Sequence, residues 1–155
     1  MKKIFLILLT ALLPLLCCAE NYIEIKKSEF RLYVKAEDGS IIYECPIAYG
    51  RNKGNKQRRG DCKTPEGTFK ITQIVNSSNW SHDFGDGKGE IPHAYGPYFM
   101  RLGVPQFYHI GIHGTCFPES IGKNATEGCV RLRNEDLLQL VNLVHVGTKC
   151  TIYPE

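Results

Sequence analysis

The amino-acid sequence predicts a mainly β domain with one principal helix, on three observations. Several short segments alternate apolar and polar residues with the two-residue period of a half-buried strand. Turn-forming pairs such as Asp38-Gly39 separate these segments. Only the stretch from Asn134 to Val144 carries apolar residues at convincing helical spacing. The pattern contains no internal repeat and no linker, so we expect one domain.

The strands follow one another along most of the chain. The segment 76–93 is rich in Ser, Asn, Asp and Gly and is predicted to be a long surface loop, of a length that is usually functional or disordered. The predicted strands, in chain order, cover residues 22–26, 31–35, 41–45, 68–74, 98–102, 107–112 and 149–153.

The principal helix is predicted to begin at Asn134, whose side chain suits an N-cap. Acidic Glu135 and Asp136 follow, where they complement the positive end of the helix dipole. Gly147 fits just beyond the end of the helix. The apolar face that would pack on the sheet consists of Leu137, Leu140, Val141 and Val144.

Residues 1–19 are predicted to be a secretory signal peptide, because a basic start is followed by a short apolar run and then small residues. The run is too short for a stable membrane span, which needs about 20 apolar residues. Cleavage after Ala19 would leave residues 20–155 as the mature domain. A lipoprotein cleaved at Cys17 or Cys18 is the alternative. The sequence therefore predicts export, to the periplasm or cell envelope.

Charge argues against nucleic acid as a partner. Residues 20–155 hold 17 basic and 16 acidic residues, a net charge of +1, whereas nucleic-acid binding needs a strongly basic face. The basic run from Arg51 to Arg59 lies in a Gly/Asn-rich segment. We interpret it as a solvated loop, with attraction of an anionic envelope polymer as the alternative.

A histidine and a cysteine sixteen residues apart, His113 and Cys129, are the candidate catalytic pair. Thiolates are nucleophilic, and a neighbouring imidazolium lowers a cysteine pKa from about 8.5 toward about 3.5–7.5. Such a pair attacks acyl carbon without a metal or cofactor. We expect no metal pair formed by His109 and His113, since a strand would place their Cα atoms about 13 Å apart. We therefore expect no metal and no cofactor.

These residues resemble the catalytic motif of the L,D-transpeptidase (YkuD-type) family, which reads His-Gly-Thr and then Ser/Thr-His-Gly-Cys-Ile/Val-Arg. The chain matches it at residues 113–115 and 126–131, except that Glu127 replaces the usual histidine. Residues 60–69 resemble the family's Gly-Asp-x-x-Thr-Pro-x-Gly segment, and residues 95–102 give a weaker third match. The resemblance implies a two-sheet β-sandwich over residues 20–155.

The resemblance also implies chemistry on a peptidoglycan stem peptide. Cys129 would attack the bond between a diamino acid and the terminal D-alanine, and His113 would hold the thiol proton. Because Gly114 follows His113, a backbone carbonyl would orient the imidazole. The remaining candidates are substrate-binding or supporting residues: Arg131 for a stem carboxylate or for bracing the loop, the amides of Gly128 and Cys129 for the oxyanion, Gly114, and the hydroxyls of Thr115 and Thr126.

The acyl group would pass to an amine, giving a 3–3 crosslink or anchoring the lysine of an envelope protein. Two alternatives stay open at this point. Water would turn the same thioester chemistry into an L,D-carboxypeptidase or amidase reaction. The third hypothesis is a catalytically inactive cell-wall-binding module, although both candidate catalytic residues are present.

Five cysteines lie beyond the predicted signal peptide, so at least one has no partner within the chain. The family motif nominates Cys129 as the free thiol. Four others would form two disulfides with one of three connectivities. The resemblance brings the loops of Cys62 and Cys116 together near the active site, and on that basis we expect bonds 62–116 and 45–150.

Overall fold

A computed structural model describes residues 20–155, so the predicted signal peptide lies outside the described residues. One α-helix, α1 (Asn134–Leu143), accompanies the strands, with 3-10 turns at Lys27–Glu29 and Pro118–Ser120. The strands are β1 (Tyr22–Lys26), β2 (Arg31–Lys35), β3 (Ile41–Pro46), β4 (Tyr49–Gly50), β5 (Gly67–Asn76), β6 (His82–Asp83), β7 (Glu90–Ile91), β8 (Tyr98–Leu102), β9 (Gly111–His113), β10 (Asn124–Thr126), β11 (Val130–Arg131) and β12 (Lys149–Tyr153).

The ten-residue strand β5 joins the two halves of the main sheet, whose strand order is β11-β9-β8-β5-β12-β1-β2-β3. Its first part, Gly67–Lys70, pairs with β12. Its second part, from Ile71 to Asn76, pairs with β8, with a register shift between Ile71 and Gln73. A strand that bends between two sheets forms the corner of a sandwich. The predicted mainly β, two-sheet architecture with one helix is confirmed.

The half-sheet β8-β9-β11 has one face in the core and one facing a cavity. Ile112 pairs with Met100 on one side and Val130 on the other, and all three are fully buried in the core. The next residue along, His113, pairs with Phe99 and Arg131. Because side chains alternate along a strand, this second trio points to the opposite face.

Helix α1 closes the core with the predicted apolar face. Leu137 and Leu140 are fully buried, and Val144 follows the helix into the same cluster. The Tyr43 hydroxyl donates to Asp136 Oδ1 at 2.7 Å, which ties the helix to β3. The predicted N-cap is wrong: the N-cap residue is Arg133. Asn134 is the first residue of the helix, and its side chain accepts the Thr115 amide instead of capping the helix.

Two other predicted elements differ from the structure. The predicted strand 107–112 is mostly turn, and only Gly111–His113 forms β9. Pro105 and Gln106, whose φ is 68°, begin this turn, and the Phe107 amide donates to the carbonyl of Val104. The predicted loop 76–93 contains the short hairpin β6–β7.

Neither predicted disulfide is present, because all five described cysteines are free. Cys45 lies on β3 and Cys150 on β12, and β1 and β2 stand between these strands. Three strand spacings of about 4.8 Å far exceed the Cα separation of about 4.4–6.8 Å that a disulfide needs. Burial raises the pKa of both thiols to about 12, as expected of cysteines that act as small core residues.

Candidate active site

The His113 side chain is buried and held in one orientation. Nδ1 lies 2.6 Å from the carbonyl oxygen of Gly114, so Nδ1–H donates to the backbone and Nε2 is left as the acceptor. The imidazole stacks on Phe99 at 5.7 Å between ring centroids, and Tyr95 meets it edge-on at 4.9 Å. A backbone carbonyl therefore orients the imidazole, as the sequence predicts.

Cys129 directly precedes β11, so its side chain points to the same face as Arg131 and His113. Its thiol donates to the carbonyl of His109 at 3.3 Å in this conformation. Gly111, opposite Cys129, must lack a side chain, since a Cβ there would come within 2.5 Å of Phe99 Cε1. Cys129 and His113 line the same cavity of about 700 Å³.

The pKa shifts of both candidate catalytic groups favour their neutral forms at neutral pH. Burial, with a smaller contribution from the charge of Arg131, lowers the pKa of His113 to about 3. Burial raises the pKa of Cys129 to about 11, although the Gly111 amide and Arg131 partly oppose it. These shifts favour the neutral thiol and imidazole over the thiolate–imidazolium pair considered from the sequence.

The loop before the cysteine is fixed by two buried threonines. Thr126 Oγ1 accepts the Gly128 amide at 3.1 Å and donates to the Cys129 carbonyl at 2.6 Å. Thr64 donates to the Gly128 carbonyl at 2.9 Å. Gly128 has a φ of 134°, and a Cβ there would lie 2.8 Å from the Lys63 carbonyl oxygen. Since its amide is already bonded to Thr126, the Gly128 amide is not free for the oxyanion role expected from the sequence.

Thr115 and Gly114 lie against the start of α1 rather than in the cavity. The Thr115 amide donates to Asn134 Oδ1 at 2.8 Å, and Thr115 Oγ1 accepts the Phe117 amide at 2.8 Å. A Cβ on Gly114 would overlap Asn134 Oδ1 and approach Gly96 Cα to 3.1 Å. These residues hold the chain that follows His113, so they act through backbone position.

Arg131 lines the cavity with a guanidinium that is only partly satisfied. The residue is 5% exposed, and Nη1 donates to Ser120 Oγ at 3.0 Å. Its Nε atom is buried and has no hydrogen-bond partner in the described structure. An unpaired buried donor is costly, and an arginine fork matches a carboxylate.

The basic run 51–59 contributes directly to the cavity wall. Arg51, Lys56 and Arg59 all line the cavity. The Asp61 side chain, which is 7% exposed, holds this loop by accepting Lys56 Nζ at 2.8 Å and the amides of Gln57, Arg58 and Lys63. Arg51 and Arg59 are exposed, as expected of a solvated loop, whereas Lys56 is buried and paired with Asp61.

His82 and Tyr95 are the site residues that the sequence did not single out. Glu127 Oε2 lies 3.1 Å from His82 Nε2, and Glu127 Oε1 lies 3.4 Å from Arg51 Nη2. His82 Nδ1 lies 3.1 Å from the Tyr95 hydroxyl. The segment 76–93 thereby reaches the loop that carries Cys129. His82 gave no local signal, because its role depends on a contact 45 residues away.

The sequence profile of the YkuD family, described as the L,D-transpeptidase catalytic domain, matches residues 20–152. The chain belongs to the L,D-transpeptidase family. The YkuD protein of Bacillus subtilis is 43% identical over 58 residues, which cover 37% of this chain and 34% of that protein. The ErfK/SrfK protein of Escherichia coli is 28% identical over 138 residues, covering 84% of this chain and 43% of that protein. Both relatives carry L,D-transpeptidase in their names, and this chain spans less than half of either.

Solved structures support the same fold for this L,D-transpeptidase family member. The helical cell shape determining protein Pgp2 of Campylobacter jejuni, as its K307A mutant, aligns with a TM-score of 0.65 and 25% identity, over 88% of this chain and 48% of that one. L,D-transpeptidase 3 of Mycobacterium tuberculosis aligns with a TM-score of 0.65 and 15% identity, over 87% and 60%. At these identities the likeness concerns the fold.

Within residues 20–155, no cluster of three or more His, Cys, Asp or Glu side chains has the arrangement of a metal site. His109 lies in a turn rather than on a strand with His113, and its carbonyl contacts Cys129. No helix in the described part of the chain is long and apolar enough to cross a membrane.

Proposed function

We propose that this chain is an exported cysteine L,D-transpeptidase that acts on peptidoglycan stem peptides. The observation that carries the proposal is the placement of Cys129 and His113 on one face of two adjacent strands, where both line one cavity. Family membership supports the reaction class. The acyl donor is a stem tetrapeptide, and the bond cleaved joins its diamino acid to the terminal D-alanine.

The neutral forms that burial favours define how the first step proceeds. The Cys129 sulfur attacks the acyl carbon while its proton moves to His113 Nε2, which is the free acceptor because Nδ1–H is bonded to Gly114. The imidazolium then gives this proton to the departing amine of D-alanine. The products of the half-reaction are free D-alanine and a thioester on Cys129. Because burial disfavours charged groups, we expect the proton to move while the sulfur attacks, and not beforehand to form an ion pair.

The wall of the cavity suits an acidic donor. Arg51, Lys56, Arg59 and Arg131 line it, and stem peptides carry several carboxylates. Arg131 is the best placed to bind one of them, because its buried Nε lacks a partner. A carboxylate there would remove an unsatisfied donor and gain a charge-assisted hydrogen bond.

Resolution of the thioester by an amine would form a 3–3 crosslink or attach the lysine of an envelope protein. The predicted signal peptide supports action in the periplasm or cell envelope, where this substrate is found. The chemistry needs no cofactor, since sulfur and imidazole supply the nucleophile and the proton carrier.

The test uses residues 20–155 with purified disaccharide-tetrapeptide and mass spectrometry of the products and of the protein. We expect loss of D-alanine, an acyl adduct on Cys129 and crosslinked dimers. Cys129→Ala should abolish the adduct and all turnover, whereas the matched Cys116→Ala should keep both. Tripeptide without dimers would identify a carboxypeptidase. Full activity of Cys129→Ala would refute the mechanism.

A further inference from the structure

Glu127 is unusual among the groups that line the catalytic cavity. Among the described lining residues it is the sole carboxylate, facing the cationic side chains of Arg51, Lys56, Arg59 and Arg131. It stands two residues before Cys129, so their Cα atoms lie within about 7 Å of each other. A thioester on Cys129 would therefore form beside a fixed negative charge.

The position of Glu127 is set by its neighbours. Thr126, the preceding residue, is buried and bonded to Gly128 and Cys129. His82 holds Oε2 at 3.1 Å, and Arg51 holds Oε1 at 3.4 Å. The side chain is nevertheless 45% exposed. Each carboxylate oxygen has two lone pairs, so a further donor from solvent can bind without displacing His82.

The proposed reaction brings two partners of opposite charge to this cavity. The donor presents carboxylates, which the cationic wall complements. The acceptor presents an amine, which is an ammonium ion at neutral pH. Arginine and lysine side chains repel that ion, and Glu127 attracts it. Water, the competing acceptor, is neutral and gains nothing from the charge.

We propose that Glu127 binds the ammonium group of the acyl acceptor beside the Cys129 thioester and so favours transfer to an amine over hydrolysis. The proposal rests on the proposed function and specifies its second half-reaction. His82 is a positioning residue, because it holds the Glu127 carboxylate and is itself held by the Tyr95 hydroxyl at 3.1 Å.

The step is balanced with one amine as co-reactant. The bound ammonium first releases one proton to solvent, to which the exposed Glu127 is open. The amine lone pair then attacks the thioester carbon, the C–N bond forms and the C–S bond breaks. Sulfur leaves with the bonding electron pair, and the second amine proton passes through His113 to restore the Cys129 thiol.

The experiment measures partition of the thioester, using disaccharide-tetrapeptide as both donor and acceptor. The readout is the ratio of crosslinked dimer to hydrolysed tripeptide, together with the acyl adduct on Cys129. For Glu127→Gln we expect the ratio to fall about tenfold or more, the loss typical of a charge-assisted hydrogen bond. Glu127→Asp keeps the charge and should retain part of the ratio.

The controls separate charge from loop position. His82→Gln leaves the carboxylate in place and should lower the ratio less than Glu127→Gln does. Glu37→Gln, at an exposed turn remote from the cavity, should leave the ratio unaltered. Circular dichroism of each variant verifies that it is folded.

Three results would overturn the proposal. One is an unaltered ratio in Glu127→Gln, and another is an equal loss in His82→Gln, which would reduce Glu127 to a loop contact. The third is slower formation of the adduct with an unaltered ratio, which would place Glu127 in the donor site. Failure of the unsubstituted protein to form any Cys129 adduct would instead contradict the proposed function itself.

Discussion

Burial, more than the neighbouring charges, favours the neutral forms of Cys129 and His113. The pKa of Cys129 is about 11 and that of His113 is about 3. A thiolate–imidazolium pair would need the opposite, a cysteine pKa below about 7 and a histidine pKa above it. A substrate that fills the cavity would exclude water further and keep both groups neutral until attack begins. Between about pH 5 and pH 9, neither group is expected to titrate in the free protein.

Alkylation of Cys129 by iodoacetamide should reveal this neutrality. We expect slow modification at pH 7 and a rate that rises with pH to a midpoint near 11, because only the thiolate reacts and burial raises the pKa to about 11. Mass spectrometry of the Cys129 peptide measures the rate against an unstructured peptide thiol, with its ordinary pKa of about 8.5. A rate that is already maximal at pH 7 would indicate a thiolate–imidazolium pair.

The sequence was sufficient to predict the residues whose chemistry is carried by local spacing. His113, Cys129 and Arg131 were found because they belong to two short motifs, and the structure brings all three to one face. His82 could not be found, since its contact with Glu127 forms only when a distant loop folds back. The engagement of the Gly128 amide depends equally on the folded loop.

At the scale of elements, the loop that contains Asp61 turns a basic segment into a wall of the cavity. Burial opposes ionisation of Asp61, but the hydrogen bonds from Lys56 and the loop amides outweigh it and hold the pKa of this carboxyl well below its usual range. The loop therefore depends on the charged form of Asp61.

Asp61→Asn should destabilise the fold by about 2 kcal/mol at pH 7, because Lys56 and three loop amides lose a charged acceptor. A depressed carboxyl pKa contributes stability above the unfolded value of about 3.9, and this contribution is lost as the pH falls below it. Urea unfolding at pH 7 and at pH 3 measures the effect. The difference in free energy of unfolding between the unsubstituted protein and Asp61→Asn should be smaller at pH 3 than at pH 7. An equal difference at both pH values would contradict a role for the charge of Asp61.

Strand prediction succeeded where alternation and burial agree. The strands at 22–26, 31–35, 98–102 and 149–153 have the bounds read from the sequence. The short strands β4, β10 and β11 were missed, because two or three residues carry no period. The segment 107–110 was misread, since its apolar residues fill a turn over the cavity and β pairing begins only at Gly111.

At the scale of the whole molecule, one buried cation ties distant parts of the chain together. Lys27, in the turn between β1 and β2, is fully buried. Its Nζ lies 2.5 Å from Glu66 Oε1 and 3.4 Å from Glu155 Oε1, and 5.8 Å from the centroid of the Tyr49 ring. This cluster joins the first hairpin, the start of β5 and the end of the chain.

Glu66→Gln should cost about 3 kcal/mol of unfolding free energy, because it leaves the buried Lys27 charge without its nearest partner. Lys27→Met should cost distinctly less, since it removes the buried charge and leaves the partly exposed Glu66 in contact with solvent. Urea unfolding of the two variants and the unsubstituted protein measures which substitution lowers the free energy of unfolding more. A larger cost for Lys27→Met would mean that the ion pair itself is strongly stabilising.

The parallel pairing of β9 and β11 gives the interval between His113 and Cys129 a geometric meaning. A chain that leaves one strand and returns to run parallel beside it needs a crossover of about a dozen residues or more. Here that return path holds the turn Pro118–Ser120 and β10. The number of residues between His113 and Cys129 is therefore set by the length of this crossover and not by the reactivity of the two side chains. A chain with this crossover and no Cys129 would have the same strand pairing and no nucleophile, so the strand pairing alone does not establish the chemistry.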